Sequence, residues 1–221
     1  MTQNMEIYLR ATIYIDADHP DIKAFAKKHE GEGSELQRAV HLYYAVRDLI
    51  RYNPYLVNID PSHYAASFTL QKGEGFCIQK ALLLAAVIRA AGIPARVGFA
   101  NVRNHLTTEK LRKVLQGDLF VFHGYDEIYL EGKWVKATPA FDIDLCKKFN
   151  VLPLEFDGKH DSIFHPFDGD GRQHMEYIHD YGTFDDFPYD LMIQEGKKYY
   201  SHLFKEFETG KDIEGDFRNE V

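Results

Sequence analysis

The 221-residue chain is short of cysteine, of basic charge and of long apolar runs, and each shortage excludes a class of protein. Its two cysteines, Cys77 and Cys146, do not make a disulfide framework, and a core of this size needs no covalent staple, so both are expected to be free thiols. Lysine and arginine number 26 against 34 aspartates and glutamates, a formal charge of -8. That balance gives no electrostatic reason to hold a phosphate backbone or an anionic bilayer, and neither nucleic acid nor membrane is expected as a partner. No stretch approaches the roughly eighteen consecutive apolar residues of a spanning helix. The opening MTQNMEIYLRATIYID alternates instead of running from a basic segment into an apolar block, so the protein is read as cytoplasmic. Internal repeats and low-complexity tracts are also missing.

What the chain does have is 45% hydrophobic and 14% aromatic residues, enough for one substantial core, and a single domain over 1–221 is expected. Ile7, Leu9, Ala11, Ile13 and Ile15 recur with period two and predict a strand over 6–16. Asp18 and Pro20 open a helical stretch that ends near His29. The loop GEGSE, 31–35, leads into a second helix: Ser34 and Gln37 form a capping box, and Leu36, Val40, Tyr43, Val46 and Ile50 share a face. Asn53-Pro54 ends it, because the residue before proline is pushed out of helical geometry. Residues 53–72 read as irregular.

From Phe76 to Ala91 the sequence FCIQKALLLAAVIRAA is apolar on nearly every side, the pattern of a helix buried all round, and Gly92 with Pro94 closes it. Strands are predicted at 95–102, 119–130 and 133–138, with a helix at 107–115 and Glu131-Gly132 as a tight turn. Beyond about 150 the periodicity is poor until an amphipathic helix at 189–208, and residues 150–221 read as an extension packed on a core of 34–142.

Cys77 falls in the first turn of the buried helix, directly after Gly73-Glu74-Gly75-Phe76. Unpaired N–H groups and the helix dipole there favour a thiolate, and the same N–H groups can receive an oxyanion. A thiol nucleophile needs a base, and His123 lies inside the long alternating strand. With a two-residue turn at 131–132, Leu130 pairs with Lys133 and Tyr125 with Thr138, which makes His123 and Thr138 diagonal neighbours on one face. Thr138 can orient an imidazole but carries no charge; Asp142 carries the charge but must reach in from beyond Pro139. Either residue, or neither, completes the pair. The amide of Gln71, six residues before Cys77, is a second oxyanion donor or a surface group.

These residues carry a family pattern. GEGFCIQKALLLAAVIRAAGIPARV, 73–97, resembles the cysteine motif of the bacterial transglutaminase-like superfamily, and HGYDEIYLEGKWVKATPAFD, 123–142, is similar to its histidine and aspartate motifs. The resemblance implies an α+β, papain-like fold in which a cysteine-bearing helix packs on an antiparallel sheet. By motif, Cys77 stands for the nucleophile and His123 for the base. Thr138 before Pro139 stands where the family usually has the aspartate of Asp-Pro-Thr, and this departure leaves Asp142 as the substitute carboxylate or leaves the usual triad incomplete. The implied chemistry is acyl transfer on a peptide, protein or small amide, with hydrolysis preferred over amine transfer and no cofactor; the alternative is a catalytically silent binding module of the same fold.

Two further clusters point elsewhere and are set aside. His160, His165, His174 and His179 lie among Asp157, Asp161, Asp168, Asp170 and Asp180, but without the spacing of a known metal motif, and a solvated loop is expected. DGDG at 168–171 opens like a calcium loop, yet Arg172 and Gln173 occupy its fifth and sixth positions, so a surface turn is expected instead. The late aromatics from Tyr177 to Phe204 are expected to pack the tail on the core.

Overall fold

A computed structural model describes residues 5–220 apart from 106, 165–167, 169, 173, 212 and 214. Its helices are α1 (Pro20–His29), α2 (Glu35–Leu49), α3 (Ala66–Lys72), α4 (Cys77–Ala90), α5 (Glu109–Leu115), α6 (Ile143–Lys148), α7 (Tyr189–Tyr199) and α8 (Ser201–Glu208). Strands β1 (Arg51–Tyr52) and β2 (Glu74–Gly75) form a short parallel pair. The main sheet is antiparallel, in the order β5-β4-β3-β6, from β3 (Ala95–Asn104), β4 (Leu119–Leu130), β5 (Lys133–Ala137) and β6 (Met175–Phe184).

Helix α4 is the centre, packed against β4 and β3 and against α1, α2 and α3. Every residue from Cys77 to Arg89 is buried, including Gln79, Lys80 and Arg89, so each polar group must find a partner inside the fold. Lys80 Nζ donates to the carbonyls of Arg47, at 2.8 Å, and Ile50 at the C-terminus of α2, where backbone oxygens lack intrahelical partners and a cation is favoured. Burial nevertheless drives the Lys80 ammonium down to about 7. Arg89 spends its guanidinium on the carbonyls of Ala95, Arg10 and Asp185, tying three separate segments to the far end of α4.

The expected capping box of α2 is present: Ser34 Oγ accepts from Gln37 N–H and Gln37 Oε1 from Ser34 N–H. The hairpin forms in the expected register, Leu130 against Lys133 and Asp126 against Ala137. Both cysteines are free.

The expected N-terminal strand does not form. Met5–Tyr8 is a turn of 3-10 helix, and a Thr12–Ile15 turn closes on itself through Ile15 N–H to Thr12 Oγ1 at 3.0 Å and Thr12 N–H to Ile15 O at 3.0 Å. Only Ile15 of the apolar series is buried, while Ile13 is 80% exposed. Residues 53–72, expected to be irregular, contain α3, which ends on Gly73 in the left-handed region at φ 72°. The 189–208 helix is broken in two at Tyr200. The extension also supplies β6, which pairs with β3 and so belongs to the main sheet.

Candidate active site

Cys77 is the first residue of α4, with Phe76 extended before it and Gln79 Oε1 accepting the Phe76 N–H at 3.2 Å. The backbone N–H groups of Cys77, Ile78 and Gly124 favour the thiolate. Burial is the larger effect, and the Cys77 thiol is pushed up to about 11.

Gly124 brings β4 to the mouth of α4. A side-chain carbon at this position would stand 3.1 Å from the Cys77 carbonyl oxygen, 3.1 Å from Ile78 Cα and 3.2 Å from Ala81 Cβ, so glycine lets strand and helix approach this closely without either giving way. The residue directly before it is His123. One step earlier, Phe122 adopts φ 62° beside a register shift in the β3–β4 ladder, between Ala100 and Val102. A non-glycine residue held in that region costs about 1–3 kcal/mol and needs its surroundings to fix it. Here Asn101 Oδ1 accepts the Phe122 N–H at 2.9 Å, and the Tyr200 hydroxyl accepts the Val121 N–H at 2.9 Å while donating to the Leu119 carbonyl. A bulge of this kind re-aims the strand immediately ahead of the histidine.

His123 is buried, its ring 5.0 Å from that of Phe164, and neither ring nitrogen has a hydrogen-bond partner among the described residues. Desolvation holds the imidazole down to about 3. Near neutral pH the Cys77 thiol and the His123 imidazole are therefore both neutral, and no hydrogen bond joins them among the described residues.

Of the other expected site residues, Thr138 is buried just past β5, its carbonyl accepting from the Tyr43 hydroxyl at 3.1 Å and its Oγ1 without a partner among the described residues. Asp142 does not accept from His123. It caps α6 through Leu145 N–H at 3.0 Å, accepts the Tyr52 N–H at 3.1 Å, and pairs with Arg218 at 2.6 Å. A carboxylate with both oxygens committed to two backbone donors and a guanidinium is occupied in holding α6, β1 and the C-terminal segment together. Gln71 likewise points elsewhere: on the exposed side of α3, its amide donates to Asp21 at 2.9 Å.

Sequence reasoning missed the walls of the cleft. Cys77 opens onto an apolar recess whose lining includes Tyr52, Leu111, Leu115, Val121 and Tyr200. Tyr52 comes from the parallel β1–β2 pair, which no periodicity announced because each strand is two residues long. Tyr200 sits at the break between α7 and α8, inside what read as one continuous helix.

The histidine-rich stretch is dispersed. His160 pairs with Asp157 at 2.7 Å on the surface, His174 is buried among the rings of Phe141 and Phe164, and His179 lies on β6. His165 lies outside the described residues. Asp168 forms a turn with its own neighbours, accepting from Asp170 N–H, Arg172 N–H and the Arg172 guanidinium. No group of three or more metal-ligating side chains gathers among the described residues, and no described helix is long and apolar enough to cross a membrane.

The family model described as Transglutaminase-like superfamily matches residues 23–139, more than half of the chain. Two solved structures are similar. A candidate cysteine protease from Cytophaga hutchinsonii is 20% identical with a TM-score of 0.47, over 63% of this chain and 43% of the other. A candidate protease from Parabacteroides distasonis is 17% identical with a TM-score of 0.39, over 61% of this chain and 25% of the other. The present chain thus spans less than half the length of either. No curated protein matches it.

Proposed function

The chain belongs to the transglutaminase-like superfamily, and on that premise we propose that it transfers acyl groups from amides through a Cys77 thioester, with water as the preferred acceptor. The observation that carries this reading is the seating of Cys77 at the mouth of α4 with β4 drawn against it at Gly124, the residue next to His123, where a side-chain carbon would stand 3.1 Å from the Cys77 carbonyl oxygen. Cys77 Sγ attacks the amide carbonyl while His123 takes the thiol proton, and the N–H groups of the first turn receive the oxyanion. The C–N bond then breaks as His123 returns the proton to the departing amine. Water, deprotonated by the same imidazole, adds to the thioester and restores the thiol with release of a carboxylic acid.

Because thiol and imidazole are both neutral at rest, proton transfer accompanies attack instead of preceding it. Thr138 is the proposed orienting partner of His123: continuing the hairpin register beyond its last pair, Asp126 with Ala137, would make the two diagonal neighbours, and both carry buried polar atoms without partners among the described residues. Water is preferred as acceptor since it needs no second binding surface, and the donors proposed are peptides, proteins or small amides.

The same Thr138 favours a second reading, a silent peptide- or protein-binding module in which the missing carboxylate marks lost activity. Limited iodoacetamide followed by peptide mass mapping separates them. The enzyme reading expects Cys77 to label faster than Cys146, whose thiol burial holds at about 12, and expects an activated ester to leave a Cys77 acyl adduct that decays in water. Equal, slow labelling and no adduct would leave the silent module.

A further inference from the structure

The cleft at Cys77 carries information about the acyl group itself. Two adjoining recesses, each about 60 Å³, share the walls Val57, Phe76, Val121 and Tyr200. The first contains Cys77 and is completed by Tyr52, Pro54, Leu111, Leu115 and Phe120. The second continues over Ile78, Phe122, Met192 and Phe204. No lysine, arginine, aspartate, glutamate or histidine among the described residues lines either one. The Tyr200 hydroxyl is already committed to Val121 N–H and the Leu119 carbonyl, and that of Tyr64 to the Asn58 carbonyl, so the further polar side chains on the walls are the uncharged Tyr52 and Asn58.

Size and polarity together select a ligand class. An apolar cavity of about 150 Å³ accepts a benzene ring; a recess of about 60 Å³ is under half of that and leaves a ring partly outside it. A carboxylate or ammonium carried on the acyl chain would lose its water and meet no counter-charge, which is strongly unfavourable. A short aliphatic chain fits, losing apolar surface to the aliphatic and aromatic walls.

We infer that the acyl group accepted by Cys77 is a short, uncharged aliphatic chain without a ring. The inference rests on the acyl-transfer reading and sharpens it from amides in general to donors with an aliphatic acyl side.

The test uses p-nitrophenyl acetate, propionate, butyrate, benzoate and monosuccinate with the full chain, following Cys77 acylation by mass spectrometry. Each rate is divided by that of the same ester with N-acetylcysteine, which removes differences in intrinsic reactivity. Normalised rates are expected to rise about fourfold per methylene from acetyl to butyryl, the value of one buried methylene, with benzoyl and succinyl below acetyl. In Leu115→Ala, which enlarges the recess, the benzoyl-to-butyryl ratio is expected to rise at least about tenfold, on the scale of a few buried methylenes. That ratio is measured within one protein and is insensitive to how much of the variant is folded. Flat rates across the series, or succinyl or benzoyl outpacing butyryl in the wild type, overturn the aliphatic assignment while leaving acyl transfer standing. No Cys77 acylation by any ester overturns acyl transfer, and the assignment with it.

Discussion

Replacing His123 with leucine should make the fold less sensitive to mild acid, although it removes a residue of the proposed catalytic pair. The wild-type imidazole is buried, without a hydrogen-bond partner among the described residues, and held down to about 3, whereas in the unfolded chain it titrates near its ordinary 6.5. The sign is set by which state binds the proton. Above about pH 6.5 the ring is neutral in both states and folding meets no penalty. As the pH falls from about 6.5 towards about 3, the unfolded chain takes up a proton that the folded chain refuses, and stability is lost. At about pH 5 the difference spans about 1.5 pH units, or about 2 kcal/mol at 1.36 kcal/mol per unit. Solvent screening does not reduce it, because the ring is only 2% exposed.

Urea unfolding of wild type and His123→Leu at about pH 8 and about pH 5 measures this directly. Every other histidine is present in both proteins, so the difference between the two pH-dependent losses isolates residue 123. With a urea slope of roughly 2–3 kcal/mol per molar, the wild-type midpoint should fall by roughly 0.7–1 M more than the variant's. Identical falls in the two proteins would refute a buried neutral imidazole. They would also remove the argument for a neutral resting pair, since the same desolvation that opposes protonation of His123 opposes a preformed imidazolium beside Cys77.

Two further variants divide the work between Thr138 and Asp142. Thr138→Asp places a carboxylate on the diagonal from His123, favours the imidazolium, and should speed iodoacetamide labelling of Cys77 at neutral pH at least about tenfold, the effect of one pKa unit; an unchanged rate in a folded variant would remove Thr138 from the site. Asp142→Ala removes the cap of α6 and leaves Arg218 unpaired, and should cost about 2–4 kcal/mol in chemical denaturation. Its Cys77 labelling should keep the wild-type pH profile; a shifted profile in the folded variant would return Asp142 to the site.

Local signals with a strong physical basis were legible in the sequence. The Ser34–Gln37 capping box, the largely apolar run of α4 and the Glu131-Gly132 turn each depend on contacts within a few residues, and each forms as read. The N-terminal alternation failed because a strand also needs a neighbour to pair with, and the Thr12–Ile15 turn satisfies the backbone locally instead. Strand β6 was obscured because its burial does not alternate: Met175 is buried, while the rest of the strand is half-buried or exposed. The roles of Asp142 and Gln71 were equally out of reach. Both side chains could be placed near the chemistry by sequence distance, but their partners Tyr52, Arg218 and Asp21 lie 90, 76 and 50 residues away.

The part of the chain with the weakest pattern builds much of the site's surroundings. Phe164 covers His123, Tyr200 fastens the bulge that precedes it, Met192 and Phe204 wall the second recess, and Arg218 engages Asp142. The family model ends at residue 139, before all of them. The cysteine helix and histidine strand thus carry the proposed reacting groups, while later residues set the cleft's size and polarity and keep His123 dry. Dryness has opposite consequences for the two tasks. It raises the Cys77 thiol and lowers the His123 imidazole, which slows attack by an unassisted thiol, yet it strengthens every N–H that meets an oxyanion once water is excluded. A site arranged in this way gains little from a standing thiolate and most from a donor whose apolar chain fills the recess and completes the exclusion of water as the carbonyl reaches the helix mouth.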